Sequence, residues 1–211
     1  MQVLIVGSQK LNRAGLKCIL TQHLGGKVEI HESSDESSVA LCRDLKPDIV
    51  LLDADIAVGS GVQLATRLVA ARSKPIVIII TSKSEPNFLN YLMETGAAGF
   101  LTKSRGEKEL VEAVESTVKG NTYVGEQFSQ LLAHGKVGKS STPNLSPLTL
   151  REMEVTIMLA QGRSPDEIAK HLSISSKTVA SYKQRIHDKL NTRNTADITR
   201  VAIQSGLLTG I

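Results

Sequence analysis

The sequence predicts an α/β doubly wound domain followed by an all-α domain of four helices, and three observations carry that reading. Over residues 1–122, five short apolar runs alternate with five helical patterns. From His134 to Asn144 the chain is rich in Gly, Ser and Lys, with almost no apolar side chains. From 145 to 211 helix start signals recur and strand-like runs stop. Strands alternating with helical patterns of about 10–15 residues build parallel sheets. A chain of 211 residues has room for one or two domains. The expected divisions are 1–122, a linker over 123–144 carrying a short helix, and 145–211.

The strand candidates come first. Val3–Val6 stops at Gly7, Asp48–Leu52 stops at Asp53, and Pro75–Ile80 stops at Thr81-Ser82. Continuous apolar runs of this length suit strands buried on both faces. Lys27–His31 and Gly99–Leu101 are weaker runs. Between them, Leu11–Leu24 has Leu11, Ala14, Cys18, Leu20 and Leu24 toward one face, and Glu36–Leu45 and Val62–Arg72 are similar. Glu85–Thr95 closes at Gly96. Glu107–Lys119 turns Leu110, Ala113, Val114 and Val118 inward and closes at Gly120, a residue suited to a helix C-terminus. Gly120–Val124 ends this domain, and Gly125–Ala133 has the pattern of one more helix. Cys18 and Cys42, both on helical patterns, read as buried thiols acting as small apolar groups.

In a doubly wound sheet, ligands gather outside the carboxyl ends of the strands. Asp53 ends the third strand, Thr81 ends the fourth, and Lys103 follows the fifth. A carboxylate there can accept a phosphoryl group, with a hydroxyl and an ammonium as partners for its oxygens. The same residues would equally form a structural ion pair at the sheet rim, and spacing does not separate the two. Gly7-Ser8-Gln9-Lys10 is neither a phosphate-cradling loop nor a dinucleotide fingerprint, so nothing there points to an enzyme or a nucleotide-binding protein.

The second half starts its helices clearly. Thr149-Leu150-Arg151-Glu152 and Ser164-Pro165-Asp166-Glu167 each fit a capping box, the second with proline at the first helical position. Gly162 closes the first helix, Ser173–Ser175 forms a tight turn, and Ser175 or Ser176 caps the third helix. Two short helices joined by such a turn define a helix-turn-helix. Met153, Ile157 and Ala160 share a face of the first helix, and Ile168, Ala169 and Leu172 one of the second. On the third, Val179, Ile186 and Leu190 fall within about 40° of one another. A fourth helix, Asn194–Ser205, carries Ile198, Val201 and Ala202.

Charge agrees with a polyanion partner. Residues 1–122 carry 14 basic and 14 acidic side chains, whereas 148–211 carry 9 and 6. The excess therefore lies at the helical end. No stretch reaches the roughly 18 apolar residues of a membrane span. The amino-terminal residues lack a basic leader and a small-residue cleavage site, so a cytoplasmic location is expected.

Three segments, Ile49–Asp53, Ile78–Ser82 and Gly96-Ala97-Ala98-Gly99-Phe100-Leu101-Thr102-Lys103, resemble the receiver domain of response regulators, a flavodoxin-like fold of the CheY type. The resemblance implies that Asp53 is the phosphoacceptor, Thr81 the switch hydroxyl, Phe100 the switch aromatic and Lys103 the phosphate-binding lysine. Leu148–Glu152, Glu167–Ser175, Lys177-Thr178-Val179 and Ile186–Leu190 resemble the LuxR-type helix-turn-helix. Together they identify the chain as similar to the NarL/FixJ response regulators along essentially its whole length. The family implies a non-enzymatic transcription regulator that binds double-stranded DNA as a homodimer, takes input from a sensor histidine kinase or another protein, and pairs its fourth helix with that of a second subunit. Ala180, Ser181 and Gln184 then match base-facing positions, with Lys177, Thr178, Tyr182, Lys183 and Arg185 toward phosphates.

The sequence departs from the family in three places. Receivers end the first strand with an acidic pair that holds Mg²⁺, and here Gly7 and Ser8 stand there. Asp55 is near in sequence, but its family position contributes a backbone carbonyl. The family's proline four residues after the acceptor is replaced by Ala57. Phosphoryl transfer relies on a metal to neutralise charge, so no metal cofactor is expected, and phosphorylation of Asp53 is expected to be slow or absent. Lys103 is then expected to pair with Asp53 directly. The alternative is a conventional two-component response regulator switched by phosphorylation of Asp53. Finally, Ala180 replaces a lysine on the recognition helix. Alanine can touch a thymine methyl but cannot donate to guanine, and the phosphate-dependent share of binding should fall.

Overall fold

The computed structural model describes residues 1–25, 28–34, 37–55, 60–84, 86–104, 106–137 and 148–205. Their elements run β1 (Gln2–Val6), α1 (Lys10–Leu24), β2 (Glu29–Ser33), α2 (Ser38–Leu45), β3 (Ile49–Asp53), α3 (Ser60–Val69), β4 (Ile76–Thr81), α4 (Pro86–Glu94), β5 (Gly99–Thr102), α5 (Glu107–Val118), β6 (Tyr123–Val124), α6 (Glu126–Val137), α7 (Leu150–Ala160), α8 (Pro165–Leu172), α9 (Ser176–Leu190) and α10 (Thr195–Gln204).

The strands form one parallel sheet in the order β2-β1-β3-β4-β5-β6. Successive strand side chains point to opposite faces, and both faces are covered. Val3, Ile5, Ile49, Leu51, Ile78, Ile80 and Leu101 meet Leu20 of α1 and Leu110, Ala113 and Val114 of α5. Leu4, Val6, Val50, Leu52, Val77, Ile79 and Phe100 meet α2, α3 and α4 through residues such as Cys42, Leu68 and Phe88. This is why the strands read as unbroken apolar runs. Strand order reverses between β1 and β3, so the crevice of such a sheet opens where Gly7 and Asp53 lie.

Several helix faces differ from the sequence expectation. On α1, Leu11 is 83% exposed and Cys18 is exposed, while Cys42 on α2 is buried. Leu11 lies about 180° around the helix from Leu20 at 100° per residue, and it is Leu16, Ile19, Leu20 and Leu24 that pack on the sheet. On α5, Val118 is 53% exposed and Thr117 is buried instead. The Thr117 hydroxyl escapes the cost of burial by donating to the Ala113 and Val114 carbonyls at 2.8 and 3.1 Å. The sixth strand, β6, was not expected. It pairs Gly99 with Tyr123 and Phe100 with Val124. Helix α6 is the helix expected within the 123–144 linker and runs on past Ala133 to Val137, and the rest of that linker, 138–144, lies outside the described residues.

Helices α7 to α10 form the second core. Helix α7 is buried almost all round, through Met153, Val155, Ile157, Met158 and Leu159. It packs with Ile168, Val179, Ile186, Ile198, Val201 and Ala202 from the other three helices. Both expected capping boxes form, at Thr149–Glu152 and Ser164–Glu167. Ser175 caps α9 by accepting from the Thr178 amide. Ser173 turns the chain between α8 and α9 at φ 53°. Where the two parts of the chain meet, Tyr91 of α4 donates its hydroxyl to the Leu148 carbonyl at 3.3 Å.

Glu152 does two things at once. It accepts from the Thr149 amide at 2.8 Å and from the Lys189 ammonium of α9 at 2.7 Å, with its side chain only 4% exposed. Burial would raise its pKa, but the bonds from Lys189 and Thr149 outweigh that and leave it below the ordinary glutamate value of 4.5. A depressed folded-state pKa adds stability above the unfolded value, which is lost as pH falls through the folded value. The melting temperature of the helical domain should therefore exceed that of a Glu152→Gln variant at neutral pH. The two should converge as pH falls through the lowered folded-state value of Glu152. Equal melting temperatures at neutral pH would refute this.

Candidate functional site

The crevice is built from the ends of β3, β4 and β5. The sheet register sets Asp53 beside Ile80 and Thr81 beside Thr102, which brings Asp53, Thr81 and Lys103 to one rim. Asp53 is nearly buried, and the Lys103 ammonium donates to its Oδ2 at 2.8 Å. Asn12 Nδ2 approaches the same oxygen at 3.4 Å. Asp53 Oδ1 accepts the Asp55 amide at 3.0 Å. The direct Lys103–Asp53 pairing expected from the sequence is present in this geometry.

The unforeseen feature is the Asp55 side chain. Instead of offering only its backbone, Asp55 turns its carboxylate into the crevice. Its Oδ1 accepts the Thr81 hydroxyl at 2.6 Å. Its Oδ2 accepts the Ser82 amide at 2.8 Å, the Ser82 hydroxyl at 2.7 Å and the Lys103 ammonium at 2.9 Å. Burial pushes the Asp55 carboxyl up, but bonds from Thr81, Ser82 and Lys103 and from the Ser82 amide prevail and lower its pKa. Burial likewise lowers the Lys103 amine, and its two carboxylate partners more than reverse that. The lysine is held as a cation between two anions. The signal in the sequence was the spacing Asp53-x-Asp55 opposite paired hydroxyls at Thr81-Ser82. Only the fold shows that these face one another.

At the neighbouring strand end, Gly7 and Ser8 are covered by a cation. Arg13 of α1 donates from Nη1 to the Gly7 carbonyl at 2.6 Å and approaches the Ser8 carbonyl at 3.3 Å. Its Nε pairs with Glu32 at 3.1 Å. A Cβ added at Gly7 would lie 3.1 Å from Asp53 Cβ. Position 57 lies outside the described residues, so the missing proline has no structural counterpart here. On the α1–α5 side of Asp53, a cavity of about 350 Å³ opens between Leu11, Leu16, Ile19, Leu101 and Leu110.

Phe100 is buried, its ring 5.5 Å from that of Phe128 in α6 at 42°. The Thr102 hydroxyl donates to Gln127 Oε1 at 3.0 Å, and Ser104 reaches the same oxygen. These contacts tie the end of β5 to α6.

The second candidate surface is α9. Val179 and Ile186 face the core, and Lys177, Ala180, Ser181, Gln184 and Arg185 are exposed on the opposite side. Thr178, Tyr182 and Lys183 are half-buried. Gln184 Nε2 donates to Asp188 at 3.0 Å, and the Arg185 guanidinium stacks 5.8 Å from the Tyr182 ring centre. Helix α10 lays Ile198, Val201 and Ala202 into its own core rather than outward, and leaves Ile203 42% exposed.

Comparison with known proteins agrees with this architecture. Residues 3–115 match the response regulator receiver domain, and residues 146–202 match the bacterial regulatory proteins of the luxR family. The chain is 33% identical to the response regulator UvrY of Escherichia coli K12, over 98% of this chain and 95% of that protein. It is 30% identical to the response regulator GacA of Pseudomonas aeruginosa, over 99% and 98%. Among solved structures, RcsB of Salmonella enterica serovar Typhimurium bound to the rprA promoter superposes with a TM-score of 0.69 at 22% identity, covering 95% of this chain and 97% of that one. The response regulator ChrA of a heme-sensing two-component system superposes at 0.55 with 25% identity, covering 98% of each chain. The protein belongs to the response regulators that join a receiver to a luxR-family domain. It is a non-enzymatic regulator of the NarL/FixJ type. None of the described helices is long and apolar enough to cross a membrane.

Proposed function

We propose that this chain is a transcription regulator that binds double-stranded DNA as a homodimer through α9, and whose receiver works independently of phosphorylation at Asp53 or depends on it only weakly. The observation that carries the second part is the Arg13 guanidinium lying on the Gly7 and Ser8 carbonyls. Mg²⁺ demands near-octahedral oxygen ligands. Here the first strand ends without carboxylates, an arginine covers its carbonyls, and Lys103 already holds both Asp53 and Asp55. These residues do not fit a divalent cation. A second reading, phosphorylation of Asp53 by a sensor kinase, is favoured by the convergence of Asp53, Thr81 and Lys103. Acetyl phosphate with Mg²⁺ separates the two. The expected result is no phosphoryl adduct by intact mass, and rapid labelling abolished by Asp53→Ala would overturn the reading.

For DNA, the exposed set of α9 supports major-groove entry. Helix-turn-helix proteins place the amino-terminal half of the second helix against base edges. Gln184 can pair with adenine through two bonds once it leaves Asp188, and Ala180 can contact a thymine methyl. RcsB, which shares the fold, has been solved as dimers bound to DNA. The outer face of α10, with Ile203, is the surface left for a second subunit. On a duplex selected from a random pool by the intact protein, Gln184→Ala should cost about 1–3 kcal/mol and relax preference at one position. Lys177→Ala should weaken all sequences alike and reduce the salt slope by about one. No binding to any duplex, or binding indifferent to salt, would refute the assignment.

A further inference from the structure

We propose that the Asp55 carboxylate fills, from within the chain, the oxyanion site that a phosphoryl group on Asp53 would need, so that the receiver is permanently loaded with its own anion. The inference deepens the phosphorylation-independent reading and rests on it.

A phosphoryl group attached to Asp53 would present terminal oxygens carrying about 1.5–2 negative charges, and it would need a cation and several N–H or O–H donors. The described donors at the open side of this crevice are the Lys103 ammonium, the Thr81 hydroxyl, the Ser82 amide and the Ser82 hydroxyl. All four reach the two oxygens of Asp55, at 2.6 to 2.9 Å, and Lys103 is shared with Asp53 Oδ2. An ion pair serving only the sheet rim would need Lys103 and one carboxylate. It would not gather a backbone amide and two hydroxyls from the next strand end. That second set is what an oxyanion site consists of: fixed dipoles and one cation aimed at a single charge. The Asp55 amide bonded to Asp53 Oδ1 holds the backbone so that the side chain folds back over the crevice.

Two consequences follow from this geometry. An incoming phosphodonor meets an anion already seated where the transferred group would go. The loop after β4 is also pinned. Thr81 is turned toward Asp55, Phe100 fills the buried space beside Phe128, and the chain passes into α4, whose Tyr91 touches Leu148 ahead of α7. Removing the carboxylate leaves the buried Thr81 hydroxyl and the exposed Ser82 amide without their acceptor and Lys103 with Asp53 alone, a set of donors open to another oxyanion.

The test uses the full chain and inorganic phosphate as the probe. Phosphate is titrated into the wild type and an Asp55→Ala variant, with the Ser82 amide followed by NMR. DNA binding is measured in parallel on the duplex selected by the wild type, with chloride holding ionic strength constant. The wild-type Ser82 amide should be unmoved by millimolar phosphate, while that of Asp55→Ala should shift saturably. Asp55→Ala should also lose DNA affinity by about tenfold, a size typical of coupling between sites, and regain it with phosphate but not with chloride. A purely structural role would not produce rescue by an anion. If the alanine variant does not fold, Asp55→Ser, which shortens the side chain and removes its charge, carries the same two readouts. The proposal is overturned if the variant keeps wild-type DNA affinity and gains no phosphate site, or if the wild type takes phosphate at Ser82 as readily as the variant. Labelling of wild-type Asp53 by acetyl phosphate would instead sink the phosphorylation-independent reading, so the two failures are distinct.

Discussion

Replacing Ile186 with alanine is expected to melt the helical domain well below the receiver and to abolish DNA binding. Ile186 is fully buried on α9 and shares the core with Val179 and with residues of α7, α8 and α10. Truncating a buried isoleucine to alanine costs about 2–5 kcal/mol, because the cavity closes only partly. At ~0.05–0.15 kcal/mol per residue, a domain of about 60 residues holds only roughly 3–9 kcal/mol in total. The loss is therefore comparable with the whole. Calorimetry should show the transition of the helical part moving down while that of the receiver stays. Gln184→Ala, on the opposite face of the same helix, should weaken DNA binding by about 1–3 kcal/mol with no change in melting. A shared loss of stability in both variants, or in neither, would contradict the division of α9 into a core face and a groove face.

The second large effect is expected at Gly61→Ala, near the start of α3. A Cβ there would be driven into the Ala54 carbonyl oxygen, with the Ala54 carbonyl carbon at 2.8 Å and its Cα at 3.0 Å. These are backbone atoms, fixed by the Ala54 amide bonding to the Ile80 carbonyl at 2.9 Å, so no side chain can swing aside. Overpacking of this kind costs typically about 1–3 kcal/mol, occasionally more. Ala54 lies between Asp53 and Asp55, so its displacement also pulls the crevice apart. Gly15→Ala, on α1 with open space around it, is the matched control and should be neutral or stabilise by up to ~1 kcal/mol. Equal melting of the two variants would refute the clash.

The central strands were readable because both sheet faces are covered, which leaves an apolar run with no alternation to misjudge. The helical half was readable because its caps are local: Thr149 with Glu152 and Ser164 with Glu167 lie three residues apart and need nothing else to be recognised. What escaped is non-local. β6 has only two residues and becomes a strand by lying against β5. The burial of Thr117 instead of Val118, and of Leu16 and Ile19 beside Leu20 instead of Leu11 and Cys18, depends on how each helix is rolled on the sheet. Asp53, Thr81 and Lys103 could be placed from strand ends alone. Asp55 could not, since its direction is set by hydroxyls and an amide 26 and 27 residues away, and neither could Arg13.

The fit between Gly7, Asp53 and Arg13 has a consequence for any acid introduced at this rim. An acidic residue placed at position 7 would press on Asp53 and meet a guanidinium already bonded to the local carbonyl. An acid placed at position 8 alone would leave Lys103 still paired with Asp55. No single substitution recovers a metal-binding rim. The rim is an interlocked set: Gly7 lies against Asp53, Arg13 holds the Gly7 carbonyl, and Lys103 bridges Asp53 and Asp55, so a change at one position is felt at the others.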